Sequence, residues 1–264
     1  MAGMTSTLND TILETRQLSK NFKGFVAVSQ VDLNIRRGTI HALIGPNGAG
    51  KTTCFNLLTK FLEPSSGKIL YNGIDITAEA PAQVARRGIV RSFQISAVFP
   101  HLSVLDNVRI ALQRPMGNSA HFWKSDRILD TLTPRALALL TDVGLETQAR
   151  RLAAELPYGQ KRALEIATTL ALDPELLLLD EPTQGMGHED VDHVMALIQR
   201  VSAQRTTLMV EHNMKVVAGI SDRITVLARG SVLAEGSYAE IASHPDVVAA
   251  YMGSKANLAR AGIA

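Results

Sequence analysis

Nine residues, GPNGAGKTT from Gly45 to Thr53, carry the densest chemistry in the sequence. They fit the pattern G-x-x-x-x-G-K-[S/T], with Gly45 and Gly50 fixed and Pro46, Asn47, Gly48 and Ala49 between them. Glycines let a backbone wrap so closely that successive N–H groups point at phosphate oxygens. Lys51 adds a mobile positive charge for β and γ phosphates, and Thr52, followed by Thr53, offers a hydroxyl to Mg²⁺. The run lies after the apolar stretch HALI and before a helical pattern, where such a loop has to sit.

A second cluster follows LLLL. Asp180 ends an apolar strand, the place where open α/β sheets put their ligand groups, and its carboxylate suits the Mg²⁺ shell. Glu181 beside it is placed to orient or deprotonate an attacking water. Gln94 follows VRSF and His212 follows LMVE, so each is a polar group at the end of a short apolar run, available to Mg²⁺, to the lytic water or to the γ-phosphate.

LPYGQKRALEIA, from Leu156 to Ala167, is a different kind of site. Gly159 and Gln160 open a helical pattern, and Pro157 and Gly159 leave its first amides with little side-chain cover. A helix start carries free N–H groups and about half a positive charge, which makes it ready for an anion.

The elements that must hold these groups follow from pattern. From Ile12 to Ile44, alternating runs such as AVSQVDLNI and TIHALIG read as strands. KTTCFNLLTKFL reads as a helix to Leu62, KILYNGIDI as a hairpin about Asn72-Gly73, and GIVRSFQ as a strand ending at Gln94. The middle changes to helical patterning, with a capping box at Ser103 and Asp106 and a helix start at Thr133-Pro134. Its tryptophan, Trp123, reads as packing. ELLLLDE and TTLMVEH are non-alternating apolar runs, separated by the helix EDVDHVMALIQRVSA, as in a parallel sheet covered on both faces. RITVLARGSVLAEGS reads as a hairpin turning at Arg229-Gly230. The fold class expected is α/β: a P-loop NTPase core with an antiparallel β subdomain and an inserted helical subdomain. Residues 12–95 and 156–253 form the core lobe, 96–155 the helical lobe, and 1–11 and 254–264 are tails.

Composition narrows the setting. The chain has 264 residues and a formal charge of +2 from 27 basic and 25 acidic side chains, too even a balance to argue for nucleic acid. A lone Cys54 rules out an internal disulfide and reads as a small buried helix residue. No apolar run reaches the roughly 18 residues of a membrane span. The N-terminal stretch lacks the basic end and apolar run of a signal peptide. The expectation is a cytoplasmic protein, reaching a membrane only through another chain.

In their order, Gly45–Thr53, Gln94, Leu156–Gln160, Asp180-Glu181 and His212 resemble the ATPase subunit of ATP-binding cassette (ABC) transporters, over nearly all of Ile12 to Gly253. The resemblance implies ATP and Mg²⁺ as ligands. It makes Glu181 the catalytic glutamate, His212 the switch histidine and Gln94 the Q-loop glutamine, with Thr52, Gln94 and Asp180 around the metal. Phe22, 29 residues before Lys51, falls where the family stacks a ring on adenine, although a core phenylalanine is the alternative. LPYGQ takes the place of the family signature Leu-Ser-Gly-Gly-Gln, so Tyr158, Gly159 and Gln160 would cap ATP held by a second ATPase subunit, the same chain or a different one. Two departures stand out: Pro157 and Tyr158 replace serine and glycine, and Met186-Gly187 stands where the family often has Leu-Asp.

Within the family, RSFQISAVFPHLSVLDNV, the insertion around Trp123, the Tyr-Gly-Gln of the signature and HPDVVAAYMGS look like ATPases of branched-chain amino-acid importers. That implies membrane permease subunits as partners, indirectly a solute-binding protein, and a branched-chain amino acid or a related small polar or amide solute. Export of a lipid or glycolipid, and a soluble cassette ATPase outside transport, are the competing readings. The AYMG ending argues against the first. The second usually brings a coiled-coil insertion or a second cassette, and neither is present.

Overall fold

The computed structural model describes residues 10–92, 98–114 and 127–252. Gln94, Trp123 and both expected tails fall outside these, Asp10 and Thr11 excepted. The chain divides into two compact units, Met1–Val84 with Thr206–Ala264, and Ala85–Arg205.

The first unit holds an antiparallel layer and a parallel one. β1 (Thr11–Phe22) is flanked by β2 (Phe25–Val31) and β5 (Ser66–Tyr71), with β6 (Ile74–Asp75) beyond β5 and β3 (Asn34–Arg36) also on β1. Asn72 and Gly73 both take positive φ, 50° and 77°, which gives the tight hairpin expected of Asn-Gly. β4 (Ile40–Ile44) runs parallel to β9 (Thr206–Val210) on one side and β10 (Arg223–Ala228) on the other. Every residue of β4 and β9 is buried, which explains why neither alternates in sequence. β11 (Ser231–Gly236) returns antiparallel to β10 through Arg229-Gly230.

α1 (Lys51–Leu58) leaves β4 through the glycine run. It stops four residues short of the expected Leu62. The Thr59 hydroxyl donates to the Phe55 carbonyl at 2.8 Å, and Lys60 turns left-handed at φ 61°, which no continuing helix allows. The Lys60 ammonium, almost fully buried, donates to the Thr77 carbonyl, so a tertiary contact sets this end. The unit closes with α7 (Met214–Ile220), α8 (Tyr238–Ala242) and α9 (Pro245–Met252). α8 begins with a capping box between Ser237 and Glu240.

The second unit follows α2 (Pro81–Arg86), which crosses the division. It pairs β7 (Ile89–Arg91) in parallel with β8 (Leu176–Asp180). Between these strands the regular elements of the described chain are helical: α3 (Val104–Gln113), α4 (Arg127–Asp142), α5 (Tyr158–Leu170) and two short 3-10 turns. Ser103 caps α3, accepting from the Asp106 amide at 3.0 Å, as the spacing implies. α4 starts earlier than its expected beginning at Thr133-Pro134, so Pro134 lies inside it. Leu139 and Leu140 are buried, and packing of this kind, about 1.5–3 kcal/mol per large apolar side chain, outweighs the one hydrogen bond a proline forfeits. α6 (His188–Ser202) completes the unit.

Candidate functional site

In the first unit the phosphate-loop sequence forms a loop that only glycine permits at its ends. Gly45 has φ 149°, and a Cβ there would lie 2.1 Å from the Leu227 carbonyl oxygen. Gly50, at φ 99°, would meet the Ala27 carbonyl oxygen at 2.5 Å. Gly48 is also left-handed but faces open space. The loop is pinned from outside by the Gly230 amide, which donates to the Ala49 carbonyl at 3.0 Å. Gly50 caps α1 without any side chain over the helix start, and Thr52 is exposed there with Thr53 partly so.

Lys51 is the buried member. Its Nζ donates to the carbonyls of Gly45 at 2.7 Å and Pro46 at 3.0 Å, both in its own loop. The loop thus fits a polyphosphate: a bare helix start, a closely wrapped backbone and a lysine within it. Cys54, one turn on, is fully buried, and burial pushes its thiol up to about 12, as an inert core residue.

His212 is exposed just beyond β9, and its amide donates to the Glu211 carboxylate at 2.8 Å. The same carboxylate oxygen accepts from the Asn213 amide at 3.0 Å, and Asn213 caps α7. Buried Glu211 therefore fixes the backbone that presents the histidine. Phe22 ends β1 and is 41% exposed, with the Lys20 ammonium 5.2 Å from its ring centre. It is not a core phenylalanine, and its ring is open to a partner.

In the second unit Asp180 is the last residue of β8, and the Arg91 guanidinium at the end of β7 pairs with its carboxylate. The Asp180 carbonyl accepts from Arg162 of α5 at 3.1 Å. Arg162 in turn pairs with Glu165 at 2.5 Å, both nearly fully buried, and burial pushes Glu165 up to about 7 against the pull of that guanidinium. Glu181 takes a left-handed backbone, φ 46°, uncommon for a non-glycine residue.

The start of α5 is as bare as its sequence implies. Pro157 is the N-cap, and the helix start has no side-chain cap hydrogen bond. Tyr158, which stands in the place of a glycine, is half exposed, and its hydroxyl donates to the Gln184 carbonyl at 3.0 Å. It ties the helix start to the loop three residues after Glu181. Gly159 has little room: a Cβ would lie 3.1 Å from Asp190 Oδ1 on α6. Gln160 follows, partly buried. Gly187 caps α6 with no side-chain bond, at the place of the missing aspartate.

Three residues here do not stand out in the sequence. Arg91 lies within VRSF, and only its pairing with Asp180 gives it meaning. Arg162 and Glu165, three apart on a helix, are a visible ion-pair spacing whose burial was not. Donors for Mg²⁺ are of the right kind, a hydroxyl at Thr52 and a carboxylate at Asp180, both hard oxygens. Among the described residues no group of three or more His, Cys, Asp or Glu side chains gathers to hold a metal by itself. Among the same residues no helix is long and apolar enough to cross a membrane.

Comparison with known proteins adds a second line. Residues 28–184 match the family model for the ABC transporter, and residues 231–257 match that for the branched-chain amino acid ATP-binding cassette transporter. The high-affinity branched-chain amino acid transport ATP-binding protein BraF of Pseudomonas aeruginosa is 37% identical, covering 92% of this chain and 98% of its own. LivG of Escherichia coli K12, named for the same transport, is 38% identical, with coverages of 93% and 99%. Among solved structures, an ATP-binding cassette of an ABC transporter in its ADP conformation superposes with a TM-score of 0.82 at 30% identity, covering 92% of this chain and 99% of that one. A glycine-wrapped loop with an internal lysine, an acidic pair ending a buried strand and likeness over nine-tenths of the chain agree. This chain belongs to the ATP-binding cassette family, as a nucleotide-binding subunit that hydrolyses ATP to drive transport.

Proposed function

We propose that the chain energises uptake of branched-chain amino acids, or of a closely related small polar or amide solute, through membrane permease subunits. The observation that carries the solute class is the match of residues 231–257 to the branched-chain amino acid cassette model, supported by relatives named for that transport. The site of work is the cytoplasmic face of a membrane, where the permeases hold the subunit and a solute-binding protein delivers the solute from the other side.

In this reading Lys51 and the loop amides hold the ATP phosphates, and Thr52, Asp180 and Gln94 serve Mg²⁺. Mg²⁺ would supply charge neutralisation at the phosphates. Phe22 stacks on adenine, worth about 1–3 kcal/mol by analogy with bases stacked on aromatic side chains. Glu181 accepts a proton from the attacking water, and His212 and Gln94 orient the γ-phosphate and the water. Tyr158, Gly159 and Gln160 face the γ-phosphate on a second cassette subunit. The bare start of α5 supports that last role.

The test is reconstitution in vesicles with permeases encoded beside this chain and their binding protein. ATP-dependent accumulation of radiolabelled leucine, competed by isoleucine and valine, is the expected result. Accumulation of a polyamine or a sugar instead, with none of leucine, would overturn the solute class and leave the ATPase assignment standing.

A further inference from the structure

The segment that carries Glu181 is short, and one helix holds it on both sides. Residues 181–184 close on themselves, the Gln184 amide donating to the Glu181 carbonyl at 3.1 Å. Just before this turn the Asp180 carbonyl accepts from the Arg162 guanidinium at 3.1 Å. At its end the Gln184 carbonyl accepts from the Tyr158 hydroxyl at 3.0 Å. Both donors stand on α5, four residues apart and so on one face of it.

Arg162 is the firmer of the two. It is 5% exposed against 45% for Tyr158, and it also pairs with buried Glu165 one turn on. Arg162 Nε and Glu165 Oε1 find no hydrogen-bond partner among the described residues. Burying a charged pair with two atoms unmatched costs stability, and an apolar pair of similar size would fill the space as well. The bond to the Asp180 carbonyl is what an apolar pair could not supply. That carbonyl belongs to the peptide unit joining Asp180 to Glu181. The unit is planar, so fixing its oxygen fixes the direction in which the Glu181 backbone departs. Glu181 then turns left-handed, φ 46°, a conformation that neighbours have to hold in a residue with a side chain. The Asp180 carboxylate is held separately, by Arg91.

We propose that Arg162 is a positioning residue for hydrolysis: by holding the 180–181 peptide it aims the Glu181 carboxylate at the attacking water. This rests on the reading that Glu181 accepts the proton of that water, so the experiment carries Glu181→Gln beside it.

Arg162→Met alone strands the Glu165 carboxylate and should lower the unfolding midpoint. Arg162→Met combined with Glu165→Leu removes both charges at similar volume, and its midpoint should stay close to that of the wild type. Rates are read in whichever of the two is folded at the assay temperature, on the full chain with Mg²⁺. Kd for a fluorescent ATP analogue should stay within about twofold while kcat falls about 10- to 100-fold, the scale of a misplaced catalytic group. In a Glu181→Gln background the same change should cost less than about a further twofold, because the group it positions is already gone. A wild-type kcat in the folded variant would overturn the proposal, as would a raised Kd at unchanged kcat. An equal further loss in the Glu181→Gln background would separate Arg162 from the work of Glu181 and overturn it too. If Glu181→Gln itself turns over at the normal rate, the reading of Glu181 fails and takes the role of Arg162 with it.

Discussion

Glu181 and Lys51 are assigned different work, so their variants should fail differently. Glu181→Gln keeps the shape and one oxygen for the water but cannot accept a proton. Hydrolysis should fall about 10²–10⁴-fold, or roughly 2.7–5.4 kcal/mol of transition-state stabilisation, with nucleotide affinity retained. Lys51→Ala should weaken binding itself. Steady-state hydrolysis and equilibrium binding separate the two, and a Glu181→Gln variant that turns over at the normal rate would remove Glu181 from the chemistry. A third residue matters to stability alone. His41 is fully buried on β4, with Nε2 2.8 Å from Thr225 Oγ1 and no partner for Nδ1 among the described residues. Burial pulls it down to about 4 from an ordinary 6.5. Above 6.5 the ring is neutral in both states. As pH falls from 6.5 towards 4 the unfolded chain takes up a proton that the folded one refuses, and stability drops by up to about 3 kcal/mol. Glu165 acts in the opposite sense between its ordinary 4.5 and about 7, because there the folded state is the one that holds the proton. The check is therefore the difference in urea stability between wild type and His41→Gln at pH 5 and pH 7: the variant should lose less on acidification.

At the scale of elements, α5 is the instructive case. A helix normally gains about 0.5–2 kcal/mol from a Ser, Thr, Asp or Asn at its N-cap, and α5 has Pro157 there instead. Leaving the cap empty keeps its first amides open to an outside anion, at the expense of the helix's own stability. Pro157→Ser restores a hydroxyl at that point. In a Glu181→Gln background it should tighten the ATP-bound dimer by up to about tenfold, or 1.4 kcal/mol, measured by sedimentation. An unchanged dimer affinity, with a more stable fold, would mean that the hydroxyl caps its own helix and does not reach the phosphate. Tyr158 shows how a departure from the family signature is used: its hydroxyl holds the loop after Glu181, which a glycine could not do.

For the whole molecule, the proposed function has the start of α5 and the loop at Gly45–Thr53 each face one side of the same phosphate. The prediction is ATP-dependent association of two cassette subunits with nucleotide between loop and signature. Glu181→Gln with ATP and Mg²⁺ should sediment as a dimer and return to monomer with ADP. A strict monomer under those conditions, including in the presence of the permeases, would sink the model. A dimer that forms only with a second, non-identical cassette chain would instead identify the pair as a heterodimer.

The sequence by itself determined the parts whose physics is local. Asn72-Gly73 and Arg229-Gly230 specify their turns through residues that accept positive φ, the buried strands show in mostly apolar runs without alternation, and the phosphate loop shows in glycines at fixed spacing. The family pattern was legible for the same reason, since each of its motifs is a short contiguous stretch. What only the tertiary structure decided are contacts between residues far apart in the chain. Lys60 ends α1 because its ammonium finds the Thr77 carbonyl, and Pro134 sits inside α4 because packing outweighs one lost hydrogen bond. Arg91 becomes part of the site by lying across from Asp180, 89 residues away. No periodicity or spacing records such pairs, because the energy that forms them depends on where two strands or helices come to rest and not on the residues beside them in sequence.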